Sequence, residues 1–503
     1  MDKRFNLIDE PWIPVADKGR VSLRQVFTDA DCRALGGNPV EKIALMKLLL
    51  AIAQAAATPA DETAWRALGA KGLAEKCLAY LDQWRDRFDL YGDKPFLQMP
   101  AIAAAEVKSF GTVLPHVATG NTTVLNGGQV ERTLSDADKA VLLVCQMGFA
   151  LGGKKTDNKV VLSPGYQGKF NKKGTGPGPA DPGPSLGDKG LLHSLALVDT
   201  LRNTLWINLL TREQVEQSQR FPAGIGVAPW EQMPAGEDDP VARDLKNSLM
   251  GRLLPLCRFC LLTEDGLHYS EGLAHANYKE GMWDPTVAVN RCGKEELALW
   301  VDPGKRPWRE LTSLLGFLAN ERFECLQIRV GSLRASENTD GFAIWCGGLR
   351  VHKHSTGEQY ATARDDFVES VVLLASGWVR GTEHGIWYSH VQAEMKALDE
   401  RAEHLRGRIF AYFDALGMAE RDCRRRAYAA SHMFWQLCER DFQRLLDHCE
   451  QGEAHVEARR QLRRRFAGYV QQAYDRYCPK DTARQLDAWA RCHPNHGKYP
   501  QEA

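Results

Sequence analysis

The sequence contains no apolar run long enough to cross a membrane. The best candidate, Ile43 to Ala57, is interrupted by Lys47 and Gln54, and it is shorter than the roughly 20 residues that a membrane-spanning helix needs. Met1 to Arg4 are not followed by the apolar core of a secretion signal. We therefore expect a cytoplasmic protein without a membrane partner, in which this run forms a buried helix.

The chain also has no excess of positive or negative charge. Lys plus Arg and Asp plus Glu both number 64 among 503 residues. A nucleic-acid partner would therefore have to contact local basic patches, because the chain has no overall basic excess. The composition, 44% hydrophobic and 25% charged, is typical of folded soluble proteins, and the length predicts about two or three domains.

The 13 cysteines lack the regular spacing of a disulfide framework. Without an export signal they are predicted to be reduced thiols. Cys257 and Cys260 have the spacing of zinc ligands, but a structural zinc needs four ligands, and the sequence places no second pair nearby. We expect no zinc and no other cofactor.

Motifs of hydrolases and nucleases are also lacking: we find no His-Asp metal doublet, no Gly-x-Ser-x-Gly elbow and no cluster of carboxylates. One stretch, Gly148 to Thr156, approaches a phosphate-binding P-loop and follows the apolar run Val141 to Cys145. Lys155, however, stands where a magnesium-ligating Ser or Thr is needed. We interpret the stretch as a glycine-broken helix end, predict no enzyme, and retain a P-loop-like ATPase as an alternative.

Residues 1–375 mix helical and strand-like patterns. Asn38, Pro39 and Glu41 form a capping arrangement at the start of the apolar run. Further helical and strand-like patterns cover Ala64–Phe88, Asp136–Met147, Leu205–Leu210 and Phe342–Cys346. The sequence therefore predicts one large, irregular α+β domain, interrupted by two loops that are polar or rich in glycine and proline, Thr119–Arg132 and Ser163–Gly190.

Residues 376–503 lack strand-like runs. Apolar residues recur at every third or fourth position within segments separated by short polar breaks. The predicted helices cover Val391–Phe413, Met418–Leu437, Asp441–Gln451 and His455–Cys478. This pattern predicts a C-terminal antiparallel helical bundle of four helices.

Two of these predicted helices are strongly basic, and the run from 459 to 465 contains five arginines in seven residues. One interpretation is a solvated face of helical salt bridges. The other is an exposed patch that contacts phosphates, because local acidic residues are too few to pair with every arginine. We choose Arg459, Arg463 and Arg464 as candidate DNA-binding residues.

Three motifs resemble one known family. Phe5 to Val15 (FNLIDEPWIPV) has two prolines that hold the chain extended on both sides of Trp12, which predicts a strand pinned by that side chain. Its residue order resembles the opening of the CasA-type large subunit of type I-E CRISPR Cascade complexes. Asp93–Gln98 (DKPFLQ) and Gly347–Arg350 (GGLR) are similar to two later family segments, in the same order along the chain.

The resemblance implies a non-catalytic subunit of an RNA-guided effector. Such a subunit reads a protospacer-adjacent motif in the minor groove, wedges the duplex open to start R-loop formation and helps to recruit a helicase-nuclease. The implied partners are guide RNA, double-stranded target DNA, and the backbone and small subunits of Cascade. Tolerance of several motifs is expected because the minor groove carries a degenerate code. A scaffold subunit without DNA contact is the other alternative.

The resemblance also assigns roles to two loops. The family's first loop docks near the guide RNA and the adjacent backbone subunit, and its glycine loop lets the backbone approach the DNA groove. A second pair of zinc ligands can follow the first loop in the family, but Ser135 and Asp138 occupy those positions here. The matching loop residues are Val124, Leu125 and Asn126 in the first loop and Gly165, Gly168 and Lys169 in the glycine loop.

The remaining implied DNA contacts are a lysine and a hairpin. The minor-groove lysine falls between His275 and Lys279, and Lys279 is the only permanent cation in that interval. The hairpin is predicted to pair Trp345–Val351 with Glu358–Thr362 around a cationic turn, where this chain has Lys-His in place of the family's Gln-Ala. The candidate residues there are Arg350, His352, Lys353 and His354.

Overall fold

A computed structural model describes most of the chain. The described residues are 4–114, 133–153, 156–157, 160, 162, 180–276, 278–281, 283–290, 297–319, 323–355, 357–380 and 384–494, with only the backbone of residues 279, 363, 364 and 384. Within this part of the chain, none of the helices has both the length and the apolarity that crossing a membrane requires.

Helices account for much of the described chain. In order, they are α1 (Leu23–Thr28), α2 (Pro39–Ala56), α3 (Glu62–Gln83), α4 (Phe110–Val113), α5 (Asp136–Gly148), α6 (Leu201–Asn208), α7 (Arg212–Ser218), α8 (Pro240–Lys246), α9 (Leu249–Leu253), α10 (Leu311–Leu314), α11 (Leu326–Asn338), α12 (His384–Ala415), α13 (Glu420–Asp447), α14 (Glu453–Tyr477) and α15 (Ala483–Cys492).

The strands are short. They are β1 (Ile13–Val15), β2 (Gly19–Val21), β3 (Val107–Ser109), β4 (His193–Leu197), β5 (Arg258–Leu262), β6 (Gly266–Glu271), β7 (Val289–Asn290), β8 (Leu297–Ala298), β9 (Phe323–Glu324), β10 (Gly341–Leu349), β11 (His352–Lys353), β12 (Gln359–Tyr360) and β13 (Phe367–Ala375). They pair as β1-β2, β3-β6-β5, β8-β7-β9, β11-β12 and β13-β10-β4.

The chain divides into two compact units. The first comprises Met1–Trp308 and Arg322–Val371, and the second comprises Arg309–Glu321 and Val372–Ala503. The first unit mixes helices with small sheets, whereas the second contains α10 and α12 to α15. This architecture confirms the predicted fold class, a mixed α+β region with a helical C-terminal region.

Two local predictions near the N-terminus are confirmed. Trp12 is completely buried, and its indole N–H donates to the Leu7 carbonyl over 2.9 Å, immediately before β1. Helix α2 begins with the predicted capping box: the Asn38 side chain accepts from the Glu41 N–H, and the Glu41 carboxylate accepts from the Asn38 N–H. Helix α2 then forms part of the main hydrophobic core.

The strand predicted at Leu205–Leu210 is wrong, because most of this segment lies in helix α6. Thr200 caps that helix by accepting from the Asn203 N–H. Asn208 is buried and donates to the carbonyls of Ala196 and Thr204 over 2.8 Å. The apolar run resembled a buried strand because α6 is itself buried. A short apolar run alone does not distinguish a buried strand from a buried helix.

The break predicted between Leu437 and Asp441 is also wrong, because α13 continues through it to Asp447. Asp441 is buried, and its carboxylate accepts from the Tyr469 hydroxyl at 2.6 Å and the Arg465 guanidinium at 2.7 Å. A polar residue that resembled a helix break is therefore a paired group inside the helical unit. The last helix, α15, follows a Thr482 capping box and lies beyond the four predicted segments.

Candidate nucleic-acid interface

A small hairpin lies where the sequence predicted a cationic turn. In it, His352 pairs with Tyr360 and Lys353 with Gln359. The His354 N–H donates to the Glu358 carbonyl over 2.9 Å and thereby closes the turn. Strands β11 and β12 are two residues each, so contacts with the surrounding chain must stabilise the hairpin.

The predicted first strand of this hairpin was wrong. Most of Trp345–Val351 lies in β10, the middle strand of a three-stranded sheet, where it pairs with β4. The two glycines of this stretch allow close packing there. A Cβ atom on Gly347 would lie 2.5 Å from the Trp345 ring, and one on Gly348 would lie 2.6 Å from the Leu191 carbonyl oxygen.

The candidate cations of the hairpin have partners. The Lys353 ammonium lies 2.7 Å from the Asp188 carboxylate, and His352 Nε2 lies 3.0 Å from Asp366. His354 stacks on the Tyr360 ring with the centroids 4.2 Å apart. The Lys353 pair is exposed on both sides, 44% for the lysine and 64% for the aspartate, so water and ligands reach it.

A cavity of about 440 Å³ lies beside the hairpin's contacts in the first unit. Its walls include Asp188, the partner of Lys353, and two residues of the 3-10 turn Tyr278–Glu280. Lys279 lies in this turn, and the Tyr278 ring packs edge-on against Trp300, with the centroids 5.5 Å apart. The turn that carries Lys279 therefore borders the same cavity as Asp188, the partner of Lys353.

Asp284, another residue of this wall, belongs to a buried ion pair. The Lys47 ammonium lies 2.6 Å from the Asp284 carboxylate, and both side chains are buried. Burial alone would raise the pKa of Asp284, but the Lys47 charge and the Thr286 hydroxyl hold it well below its usual range. In the sequence Lys47 is only an interruption of an apolar run, because its partner Asp284 lies 237 residues further along the chain.

The interval proposed for the groove-reading cation begins at His275 and ends at Lys279. The His275 ring is neutral. Its Nδ1 accepts from the Arg252 guanidinium over 3.4 Å, and its Nε2 donates to the Pro255 carbonyl. Burial and the Arg252 charge lower the pKa of His275 to about 3. His275 therefore carries no positive charge near neutral pH, which leaves Lys279 as the candidate.

Two of the α14 arginines chosen as candidate DNA contacts do not lie on an exposed, unpaired face. Arg459 is buried, with Nη1 donating to the carbonyls of His448 and Glu450. Arg463 binds both oxygens of buried Glu394 at 2.6 to 3.1 Å. The prediction of an exposed patch is therefore wrong for Arg459 and Arg463. Arg464, by contrast, is exposed.

The cysteine pair lies in the first unit. Cys260 belongs to β5 and Cys257 precedes it, with its thiol donating to the Gln146 carbonyl over 3.4 Å. Burial raises the pKa of Cys257 to about 11. Ser135 and Asp138 form the N-cap of α5. In the described ranges, no three His, Cys, Asp or Glu side chains form a group that could hold a metal ion.

The glycines of the P-loop-like stretch follow a helix rather than a strand. Gly148 is the last residue of α5, which includes the apolar run before it. Gly153 then pairs with Ala180 through two backbone hydrogen bonds of 2.9 and 2.8 Å. A P-loop requires a strand, a loop and a helix in that order, so the ATPase alternative lacks its structural context.

Two groups of predicted residues lie outside the described part of the chain. They are Val124, Leu125 and Asn126 of the first loop and Gly165, Gly168 and Lys169 of the glycine loop. Arg350 is described: its side chain is exposed, and its N–H donates to the Asp366 carbonyl over 2.8 Å.

A family model for CRISPR-associated protein Cse1 matches residues 6–473. This chain belongs to the Cse1 family. The assignment confirms the resemblance to CasA-type large subunits of type I-E Cascade that the three sequence motifs indicated. CasA/Cse1 of Thermus thermophilus is 33% identical over 165 residues, which are 30% of this chain and 32% of that protein. The match thus spans about a third of that relative's length.

Solved Cse1 structures have the same fold. A crystal structure of CasA from Thermus thermophilus aligns with a TM-score of 0.73 at 20% identity, over 97% of this chain and 98% of that chain. Thermobifida fusca Cse1 aligns with a TM-score of 0.69 at 21% identity, over 97% and 93%. A chain of a CRISPR RNA-guided surveillance complex gives 0.68 at 15% identity, over 97% and 98%.

Proposed function

We propose that this protein is the non-catalytic DNA-recognition subunit of a type I-E Cascade effector. It reads a protospacer-adjacent motif in the minor groove, wedges the duplex open to start an R-loop and helps to recruit a helicase-nuclease. The main support is spatial. The turn that carries Lys279 and the Asp188 partner of Lys353 border one cavity.

The partners proposed with this function are guide RNA, duplex target DNA, the backbone and small Cascade subunits, and the helicase-nuclease. Membership of the Cse1 family supports this set. Val124, Leu125 and Asn126 remain predicted contacts to the guide RNA and the adjacent subunit. Gly165, Gly168 and Lys169 remain predicted contacts to the groove.

The hairpin suits insertion at a base pair because the ion pair of its lysine with Asp188 is exposed. Such pairs contribute about 0.2 to 1 kcal/mol. Lys353 therefore exchanges Asp188 for a DNA phosphate at little cost. Opening one base step requires a few kcal/mol, which new contacts between the hairpin and the separated strands would offset.

Lys279→Ala tests the groove-reading role. In the assembled complex, affinity for duplex carrying the correct motif should fall by about 1 to 3 kcal/mol, the range for one good base-edge contact. Lys71→Ala is the matched control, because Lys71 lies on α3 with 88% of its side chain exposed. Filter binding measures both variants against duplexes with and without the motif.

Two results would contradict the proposal. If both lysine variants bind with equal affinity, Lys279 does not read the groove. If complexes assembled with and without this chain bind motif duplex equally, the chain is a scaffold without DNA contact.

A further inference from the structure

Gln359 stands opposite Lys353 in the register of the hairpin, and its side chain binds the hairpin to the neighbouring backbone. Gln359 is completely buried. Its carboxamide oxygen accepts from the Gly152 N–H over 2.8 Å, and its nitrogen donates to the carbonyls of Gly187 and Asp188 over 2.9 and 3.2 Å. Both N–H groups of the amide are thus used.

The backbone around this amide leaves little room for any other arrangement. The Gln359 N–H also donates to the Gly152 carbonyl over 2.9 Å. A Cβ atom on Gly152 would lie 3.3 Å from the Gln359 amide oxygen and 3.0 Å from the Ala180 carbonyl oxygen. A side chain at position 152 would therefore crowd the amide, and the glycine lets the backbone reach it.

Asp188 contacts both Gln359 and the lysine of the hairpin, Lys353. Its carbonyl accepts from Gln359, and its carboxylate holds the Lys353 ammonium at 2.7 Å. The position of that lysine therefore depends on the same amide that fixes the base of the hairpin. A two-stranded hairpin this short is not stable by itself, so its orientation is set by such contacts.

We propose that Gln359 is a positioning residue for duplex opening. It fixes the hairpin base to the backbone at Gly152 and at Gly187–Asp188, so that Lys353 and His354 meet the first base pair in a single orientation. The inference rests on the proposed function, and it adds a residue that does not itself touch DNA.

Gln359→Met removes every hydrogen bond of the amide while it keeps a side chain of similar length. Gln98→Met is the matched control, because Gln98 is also buried and its amide joins the Leu262 N–H to the Leu90 carbonyl, outside the hairpin. Stopped-flow fluorescence of 2-aminopurine at the first target position reports opening by the assembled complex. Gln359→Met should slow opening of matched duplex about tenfold, which corresponds to about 1.4 kcal/mol in the activation free energy.

The same variant should open a duplex with a mismatched first base pair as fast as the wild type does, and Gln98→Met should open both duplexes normally. If Gln359→Met fails to assemble, Gln359→Glu supplies the test. Its carboxyl group could donate at most one of the two hydrogen bonds that the amide nitrogen makes to Gly187 and Asp188, so matched duplex should open slowly and mismatched duplex normally.

Equal slowing on matched and mismatched duplex, or wild-type rates on both, would overturn the positioning role of Gln359. A different result overturns the proposed function itself: the wild-type complex would open motif duplex no faster than duplex without the motif. The two failures are therefore distinguishable.

Discussion

The same substitution should affect the free energy of unfolding very differently at two neighbouring arginines of α14. Arg463 binds both oxygens of Glu394, whose side chain is 3% exposed. Arg463→Met would leave that carboxylate with Arg459 Nε, which is 3.8 Å away. Breaking a buried pair by removing one partner costs about 3 to 5 kcal/mol. Because the Arg463 side chain is itself 22% exposed, we expect the lower end of this range.

Arg464→Met is the matched control, one position further along the same helix. An exposed side chain away from special contacts changes the free energy of unfolding by no more than about 0.5 kcal/mol. Urea unfolding of the full chain, followed by circular dichroism and tryptophan fluorescence, measures both variants. Equal midpoints for the two variants would refute the assignment of Arg463 to a buried ion pair.

DNA binding should separate the same two variants in the opposite sense. If Arg464 contacts a phosphate in the assembled complex, Arg464→Met should make the slope of log affinity against log salt shallower by about 0.9. Arg463→Met should leave that slope unchanged, because its guanidinium is committed to Glu394. A changed slope for Arg463→Met would show that this arginine is available to phosphate after all.

Two further predictions concern the hairpin and His275. Changing Lys353 and His354 together to Gly should leave initial duplex binding nearly intact but slow strand opening, and a mismatch at the first base pair should restore the rate; an immediate loss of affinity that the mismatch does not rescue would show that they act only as cations. His275 alone should lower the unfolding free energy by about 1 to 2 kcal/mol from pH 7 to pH 5, because its unfolded ring binds a proton near pH 6.5 and the folded ring, with its pKa of about 3, does not. His275→Gln should remove that part of the pH dependence, and an unchanged pH profile would contradict the assignment of a neutral ring.

Features specified by neighbouring residues could be predicted from the sequence. The Asn38 and Glu41 capping box lies within one helical turn, and both hydrogen bonds are present. The strand at Trp12 is defined by the prolines on either side of it, and the indole bonds to a carbonyl only five residues away. In both places the chemistry that decides the structure is contained in a short window.

Features that depend on distant partners could not be predicted. Lys47 interrupts an apolar run, and its partner Asp284 lies 237 residues further along the chain. Asp441 resembled a break in α13 because two of its donors, Arg465 and Tyr469, belong to the next helix. A polar residue inside an apolar pattern therefore marks either a break or a buried pair, and only the tertiary structure distinguishes them.

Distant partners also determine which basic side chains are available to DNA. Both Arg463 and Lys353 are candidate DNA contacts in the sequence, Arg463 because local acidic residues are too few for its arginine run and Lys353 because it belongs to the cationic turn. Each in fact has a distant carboxylate: Glu394 is 69 residues from Arg463, and Asp188 is 165 residues from Lys353. The pairs differ in exposure, since Glu394 is 3% exposed and Asp188 is 64% exposed. Removing Arg463 from its partner would leave a desolvated charge, whereas Lys353 leaves a carboxylate that water solvates at once. Exposure of the acidic partner therefore makes Lys353 a better candidate than Arg463 for contact with phosphates.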